Sequence, residues 1–166
     1  MFNGGQNHGV ELGHMTLIQD GPKCSCGNFG CMETVCSATW LARQGREICE
    51  KDPSSLISRK TKGDPLRVNA KTVLDCAKQG DEAALRVFER YVEYLSTAIA
   101  SVISLLDPQV VALGGGISLA GEFLFEPLRQ KVQEKAFFSH TYKIIPAVMG
   151  NDAGMIGAAM SFEHLF

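Results

Sequence analysis

Three cysteines lie close together in the stretch Cys24-Ser25-Cys26-Gly27-Asn28-Phe29-Gly30-Cys31, and His14 precedes the first of them by ten residues. One imidazole and three thiolates form a ligand set that suits tetrahedral Zn²⁺. Gly27 and Gly30 allow the backbone to turn tightly around an ion. Because protein ligands would occupy every coordination position, the stretch predicts a structural zinc site that adds folding energy to a loop with little core of its own. The alternatives are reduced cysteines without a metal, or a disulfide.

Two glutamates flank the cluster. Glu11 lies three residues before His14, and Glu33 lies two residues after Cys31. Lone glutamates are usually solvated surface residues, but the positions of these two place both near the metal loop. Carboxylates accept paired hydrogen bonds from vicinal hydroxyl groups, so a polyol or a sugar is the ligand that we predict here.

The composition is that of a folded intracellular protein. Of the 166 residues, 45% are hydrophobic and 20% are charged, which fits one ordinary domain or half of a two-lobed protein. A net charge of −2 without a basic run argues against direct contact with nucleic acid. No apolar stretch has the length of a membrane span and no signal peptide opens the chain, which favours a cytoplasmic location and reduced thiols. We expect the remaining cysteines, Cys36, Cys49 and Cys76, at ordinary helix positions.

The rest of the chain predicts an α/β fold, because helical and strand patterns follow one another. Met1–Gly5 reads as the end of a strand and a hairpin turn, so we expect a fragment whose upstream half is missing. A polar surface loop is expected over 52–68, and Trp40 in the core. The predicted strands cover 15–18, 109–113 and 143–148, and the apolar run of 109–113 is expected to be buried, as in a parallel sheet. The predicted helices cover 34–50, 70–78 (ending at Gly80), 81–106 (capped by Asp81), 122–135 and 153–162.

A glycine run, Gly114-Gly115-Gly116, follows the second predicted strand. Backbone amides at such a turn can meet phosphate, ribose or a purine, although a plain strand-to-helix turn would look the same. The run lacks the GxGxxG pattern with its acidic residue and the lysine of a P-loop, which disfavours a Rossmann or Walker site. Near the end of the chain, Asn151 and Asp152 precede the last predicted helix and are expected to cap it.

The motifs together resemble those of the ROK family (repressors, open reading frames and sugar kinases). The stretch Glu11-Leu12-Gly13-His14-Met15, followed by residues 24–34, resembles the zinc signature of the family, and this match is highly specific. Residues 113–118 and 150–159 resemble the family's later motifs, of which the glycine turn is not specific. The resemblance runs from about residue 3 to the end and is greatest to the bacterial glucokinases of the family.

The resemblance implies a ribonuclease H-like (actin-like ATPase) fold, with 1–33 as a zinc- and sugar-binding loop region and 34–166 as an α/β lobe. It implies ATP- and Mg²⁺-dependent phosphorylation of the 6-hydroxyl of a hexose, with glucose the expected substrate, in carbohydrate metabolism and glycolysis. The implied residues are zinc ligands His14, Cys24, Cys26 and Cys31, sugar contacts Glu11, His14 and Glu33, and nucleotide contacts Gly114, Gly115 and Gly116.

The chain departs from the family pattern in lacking the N-terminal lobe, which carries the first phosphate loop and the aspartate that acts as base. We therefore expect no catalytic residue in this chain and no kinase activity from it alone, with Asp152 as the fallback base if that is wrong. A homodimer is the expected assembly. Two alternatives stay open, namely a sugar-responsive transcriptional repressor of the same family and a structural zinc module without a ligand.

Overall fold

The computed structural model of the chain describes residues 5–6, 10–137 and 141–162, with the backbone alone at 151, 153, 161 and 162. The hairpin turn expected at the first five residues lies almost entirely outside these ranges. The described part is α/β, as predicted, and none of its helices is long and apolar enough to cross a membrane. Its helices and strands are α1 (Ala38–Lys51), α2 (Leu56–Thr61), α3 (Ala70–Lys78), α4 (Glu82–Leu106), β1 (Val110–Leu113), α5 (Glu122–Lys135), β2 (Lys143–Pro146) and α6 (Ala153–Phe162).

The chain divides into two compact units, Met1–Ala98 and Ile99–Phe166, and α4 contributes residues to both. In the first unit, α1 begins four residues later than predicted, because the Ser37 hydroxyl caps it by accepting a hydrogen bond from the Trp40 amide at 3.2 Å. Trp40 is buried, as predicted, and its ring lies 6.4 Å from that of Tyr91 and 5.8 Å from that of Tyr94. These contacts anchor α4 against α1.

The surface loop predicted for residues 52–68 is wrong. The segment contains α2 and a 3₁₀ turn, Pro65–Arg67, and Ile57 is completely buried. Ser55 caps α2, and the Ser58 hydroxyl donates to the Cys49 carbonyl at 2.9 Å. Polar side chains that satisfy backbone groups can be buried, so the polar composition did not mean exposure here.

Close packing between α1 and α3 depends on Gly45. A Cβ atom at this position would lie 2.4 Å from Cγ2 of Val73 and 2.8 Å from Cγ1 of Val68.

The predicted cap of α4 is confirmed, because Asp81 accepts a hydrogen bond from the Ala84 amide at 2.8 Å. Its other carboxylate oxygen accepts from the Leu56 amide at 2.8 Å, so one side chain caps both α4 and α2.

The second unit contains a parallel pair, β1 and β2, in which Val111 lies opposite Ile144. Apolar side chains of α5 pack against β2, and the buried set is Leu124, Phe125, Leu128, Val132, Tyr142 and Ile144. The prediction that the strand at 109–113 is buried is wrong, since the residues of β1 are exposed or half-buried. Burial on both faces requires a second layer, and the face opposite α5 is exposed in the described residues.

Two 3₁₀ turns in this unit were not predicted, Gly116–Ala120 before α5 and Gly150–Asp152 before α6. The second of them occupies the position at which Asn151 and Asp152 were expected to cap α6. That cap stays a prediction.

Candidate metal centre

Backbone hydrogen bonds hold the loop of residues 10–37, which contains the predicted ligands. The strand predicted for 15–18 is wrong, because Thr16 makes an isolated antiparallel bridge with Cys31. The amides of Leu17 and Ile18 both donate to the Gly30 carbonyl, at 2.8 Å and 3.1 Å. In a regular antiparallel ladder successive residues bond to different partners. The two donations to one carbonyl therefore interrupt the pairing after Thr16, and the segment turns instead of continuing as a strand.

Both predicted glycine bends exist, and they differ in how much space they have. Gly27 has φ +94° and Gly30 has φ +68°, in the left-handed region that favours glycine. A Cβ atom on Gly30 would lie 1.7 Å from the Ile18 carbonyl oxygen, whereas one on Gly27 would meet nothing within 4 Å. Gly30 therefore permits a close backbone approach, and Gly27 closes the turn that its amide makes with the Cys24 carbonyl at 3.0 Å.

Two 3₁₀ turns position the side chains that flank the cysteines. Leu12–His14 carries the histidine and Met32–Thr34 carries Glu33. The turns lie against each other, since a Cβ atom on Gly13 would be 3.7 Å from Cβ of Glu33. The histidine and the glutamate are thus brought to the same side of the cysteine loop.

The four predicted ligands come together. The candidate ligand atoms of His14, Cys24, Cys26 and Cys31 all lie within 4.8 Å of one another. Nδ1 of His14 lies 3.5 Å from Sγ of Cys24, and the Sγ atoms of Cys26 and Cys31 are 3.7 Å apart. Tetrahedral zinc with ordinary bond lengths requires about 3.6 Å between nitrogen and sulfur and about 3.8 Å between two sulfurs. The donor set and these two distances therefore fit Zn²⁺.

All six cysteines are free thiols, so the disulfide alternative is wrong. Burial raises the pKa of Cys31 to about 12, with Cys24 and Cys26 adding to the shift. A hydrogen bond from the Asn28 amide lowers the pKa of Cys26, which is exposed. Without a metal, the buried thiol keeps its proton, and a metal that binds it must displace that proton.

Glu33 lies against the cluster. Its Oε1 accepts hydrogen bonds from the Cys24 thiol at 3.0 Å and from the Ser25 hydroxyl at 3.2 Å, and these bonds lower the pKa of its carboxyl group. The hydrogen bond with Cys24 and then the nearby charges of Glu33 and Glu11 raise the pKa of His14 against the opposing effect of desolvation. The three predicted sugar contacts are therefore neighbours, centred on a half-exposed imidazole.

Sequence reasoning missed Ser25 and Asn28. Ser25 helps to hold the Glu33 carboxylate, and the Asn28 side chain donates to the Thr16 hydroxyl at 3.2 Å. Both lie between the cysteines, and their short polar side chains at a turn were the available signal.

The glycine run lies in the second unit, directly after β1. Gly115 has φ +85°, and its carbonyl accepts from the Ser118 hydroxyl at 2.7 Å. A Cβ atom on Gly115 or Gly116 would meet nothing within 4 Å, so the backbone there is open. This turn stands at the carboxyl end of a parallel strand, where open α/β sheets commonly bind ligands.

The chain is similar to known proteins over nearly its whole length. A model of the ROK family matches residues 1–164. The chain is 43% identical to a glucokinase of Thermotoga maritima over 161 residues, which are 96% of this chain and 50% of that protein. It is 25% identical to a xylose repressor of Bacillus spizizenii over 99% of this chain and 39% of that protein. The chain spans about half the length of the curated glucokinases that it matches.

A solved structure extends the likeness to three dimensions. A ROK family glucokinase from Streptomyces griseus, in complex with glucose and AMPPNP, superposes with a TM-score of 0.79 at 28% identity, over 92% of this chain and 51% of that one. The α/β fold is that of ROK sugar kinases, within the actin-like ATPase superfamily. Since the family model matches nearly the whole length, the chain belongs to the ROK family.

Proposed function

We propose that the chain is the C-terminal lobe of an ATP-dependent hexose kinase, with 1–33 as the zinc and sugar region and 34–166 as the α/β lobe. The expected reaction is phosphorylation of the 6-hydroxyl of glucose. Support comes from the 43% identity to a glucokinase, which exceeds the 25% identity to a repressor. As a kinase of this type, the protein would act in the cytoplasm at the start of glycolysis, and we expect a homodimer.

Zn²⁺ held by the four clustered ligands would crosslink the loop and fix its shape. The observation that carries the proposal is the orientation of His14. Its Nδ1 faces Cys24, and the side chain is 36% exposed. One ring nitrogen is thus directed at the metal position, which leaves Nε2 for a ligand. A hexose hydroxyl is the group that this nitrogen would contact.

Two carboxylates extend this contact. When Cys24 is a metal-bound thiolate it no longer donates to Glu33, and Oε1 of Glu33 becomes available to a sugar hydroxyl. Glu11 is exposed and close enough to act on the pKa of His14. Glu11, His14 and Glu33 would therefore bind and orient the hexose from one side.

Gly114, Gly115 and Gly116 would provide backbone amides near the nucleotide, where ATP and Mg²⁺ supply the transferred phosphoryl group. The aspartate that deprotonates the sugar hydroxyl belongs to the part of a ROK kinase outside this chain. Phosphoryl transfer depends on positioning and on charge stabilisation around the γ-phosphate. The 166 residues alone should therefore show no glucose-dependent ATP consumption.

A chimaera tests the proposal. In it, the chain replaces the matching half of the Thermotoga maritima glucokinase, and glucose phosphorylation is measured with a coupled assay. We expect activity, together with about one zinc per chain by elemental analysis. Glu89→Gln, an exposed glutamate on α4 distant in sequence from the cluster, is the matched control for changes at Glu11 and Glu33.

The other readings give different results in the same experiment. A sugar-responsive repressor would give a folded, zinc-containing chimaera that binds glucose without phosphorylating it. A structural zinc module would bind zinc and no sugar. Either result would overturn the kinase assignment and leave the metal site in place.

A further inference from the structure

The three cysteines of the metal cluster differ in their access to solvent. Cys26 is exposed, whereas the exposed fractions of Cys24 and Cys31 are 4% and 0%. Cys26 lies in a tight turn, which the Gly27 amide closes by donating to the Cys24 carbonyl at 3.0 Å. The turn has free space beside it, because a Cβ atom on Gly27 would meet nothing within 4 Å. A dissolved reagent therefore reaches the sulfur of Cys26 before the other two.

A second sulfur lies beside the exposed one. Sγ of Cys31 is 3.7 Å from Sγ of Cys26. A disulfide joins its two sulfurs at about 2.0 Å, so a relative movement of less than about 2 Å would bond them. Rotation of the exposed Cys26 side chain is the movement that the open turn permits. Cysteines that sense oxidants have this arrangement, in which an accessible thiolate lies next to a second thiol that resolves it.

We infer that Cys26 is an oxidation site for a peroxide, and that Cys31 then forms a disulfide with it and the metal is released. The inference rests on the proposed zinc site, because zinc binding keeps both sulfurs as thiolates, which are the nucleophilic form of cysteine. Disulfides of intracellular proteins are commonly of this transient, redox-sensing kind.

The reaction balances with hydrogen peroxide as the oxidant. The Cys26 thiolate attacks one peroxide oxygen, the O–O bond breaks, and a sulfenic acid forms as hydroxide leaves. The Cys31 thiolate then attacks the sulfenic sulfur, the S–O bond breaks, and a second hydroxide leaves as the disulfide forms. The two sulfurs give up two electrons to the peroxide, and two protons from the solvent convert both hydroxides into water. Only His14 and Cys24 then remain as ligands, too few for a tetrahedral site, so the metal dissociates.

Oxidation would also change the sugar side of the loop. Once Cys24 no longer binds a metal it takes up a proton, and its thiol donates to Oε1 of Glu33, the hydrogen bond of 3.0 Å in this structure. That oxygen is the one proposed to accept from a sugar hydroxyl. On the proposed function, a peroxide would therefore weaken hexose binding as it releases zinc.

Zinc release and disulfide mapping test the inference on the 166-residue chain purified with its zinc. Hydrogen peroxide is added, released zinc is followed with a chromophoric chelator, and free thiols are then alkylated and identified by mass spectrometry. We expect one zinc released for each disulfide, a linkage between Cys26 and Cys31, and reversal by dithiothreitol with added zinc. The cysteines outside the cluster, Cys36, Cys49 and Cys76, are internal controls and should be recovered as free thiols.

Cys26→His is the matched variant, because two histidines and two cysteines are a common ligand set of structural zinc sites. It removes the exposed sulfur and leaves two buried ones, so peroxide should release zinc roughly tenfold more slowly or less. Cys76→Ala changes a completely buried cysteine outside the cluster and should release zinc at the rate of the unchanged chain. If Cys26→His does not hold zinc, the disulfide mapping on the unchanged chain decides the question.

Retention of zinc in the presence of peroxide would overturn the inference. A disulfide that excludes Cys26 would do so too, as would equal release rates for the unchanged chain and zinc-loaded Cys26→His. A chain purified without zinc would contradict the proposed metal site, and a Cys26–Cys31 linkage in it would still support the oxidation site. In the chimaera, peroxide should raise the KM for glucose until dithiothreitol and zinc are added; unchanged kinetics after complete zinc release would contradict the proposed sugar contacts and not the oxidation site.

Discussion

Replacing Gly30 by alanine should dismantle the metal centre, and replacing Gly27 should not. Both residues have positive φ, so either alanine introduces left-handed strain of about 1–2 kcal/mol. At Gly30 the new Cβ would also lie 1.7 Å from the Ile18 carbonyl oxygen, which the backbone can relieve only by moving apart. At Gly27 the space is open, so strain is the whole cost.

The extra cost of Gly30→Ala follows from the hydrogen bonds that the movement breaks. The Gly30 carbonyl accepts from the amides of Leu17 and Ile18, and its own amide donates to Pro22 at 2.8 Å. At about 1 kcal/mol for each bond, the loss is about 3 kcal/mol beyond the strain. If zinc binding and loop folding are coupled, this difference weakens zinc binding by roughly 100-fold relative to Gly27→Ala.

Chelator competition measures this difference. Zinc affinity is determined for the unchanged chain and for both variants against a chromophoric chelator, and limited proteolysis of residues 10–33 reports whether the loop is folded. We expect Gly27→Ala to lose roughly tenfold in affinity from strain alone. Equal zinc affinity in the two alanine variants would show that the approach of Gly30 to Ile18 does not hold the site together.

The other predictions concern ligands, sugar, pH and stability. Cys26→Ser should lose zinc and make the loop susceptible to proteolysis, which elemental analysis and digestion would show; unchanged resistance in a metal-free sample would contradict this. In the chimaera, Glu11→Gln and Glu33→Gln should each raise the KM for glucose roughly 10- to 100-fold with zinc content near normal; zinc loss with unchanged kinetics would assign these carboxylates to the metal. Zinc affinity should rise between about pH 6 and pH 8, because the raised pKa of Cys31 makes its proton compete with the metal; a flat titration would contradict it. Asp81→Ala should lower the free energy of unfolding by about 2 kcal/mol, since two helix caps are lost, and Asp81→Asn should lower it by less. Urea denaturation measures this loss, and an unchanged midpoint for Asp81→Ala would contradict the prediction.

Local patterns in the sequence were sufficient wherever a residue acts on its own neighbours. The cap of α4 by Asp81 and the end of α3 near Gly80 were both predicted, because a cap needs only the next few residues. The order of helices and strands was also predicted, because the period of apolar residues within each segment is a local property of the sequence. α2 was missed because the burial of Ser58 depends on the Cys49 carbonyl, which α1 supplies from an earlier part of the chain.

Two wrong predictions concern contacts between segments that are distant in sequence. The strand expected at 15–18 is replaced by a turn, because the Leu17 and Ile18 amides both donate to the Gly30 carbonyl. A four-residue pattern cannot predict hydrogen bonds to a residue twelve or more positions later. The apolar run of β1 correctly indicated a strand of a parallel sheet. Its burial could not follow from the run itself, because burial depends on which layers lie on its two faces.

The sequence by itself determined the chemistry of this protein. The types and spacing of His14, Cys24, Cys26 and Cys31 define a zinc-type ligand set, and the motifs around them identify the family, because ligand preference and motif spacing are properties of the residues in order. The tertiary structure decided the arrangement: which nitrogen of His14 faces the thiols, that Glu33 lies 3.0 Å from Cys24, and that β1 pairs in parallel with β2. These facts depend on backbone turns and contacts between distant segments, which exist only once the chain has folded.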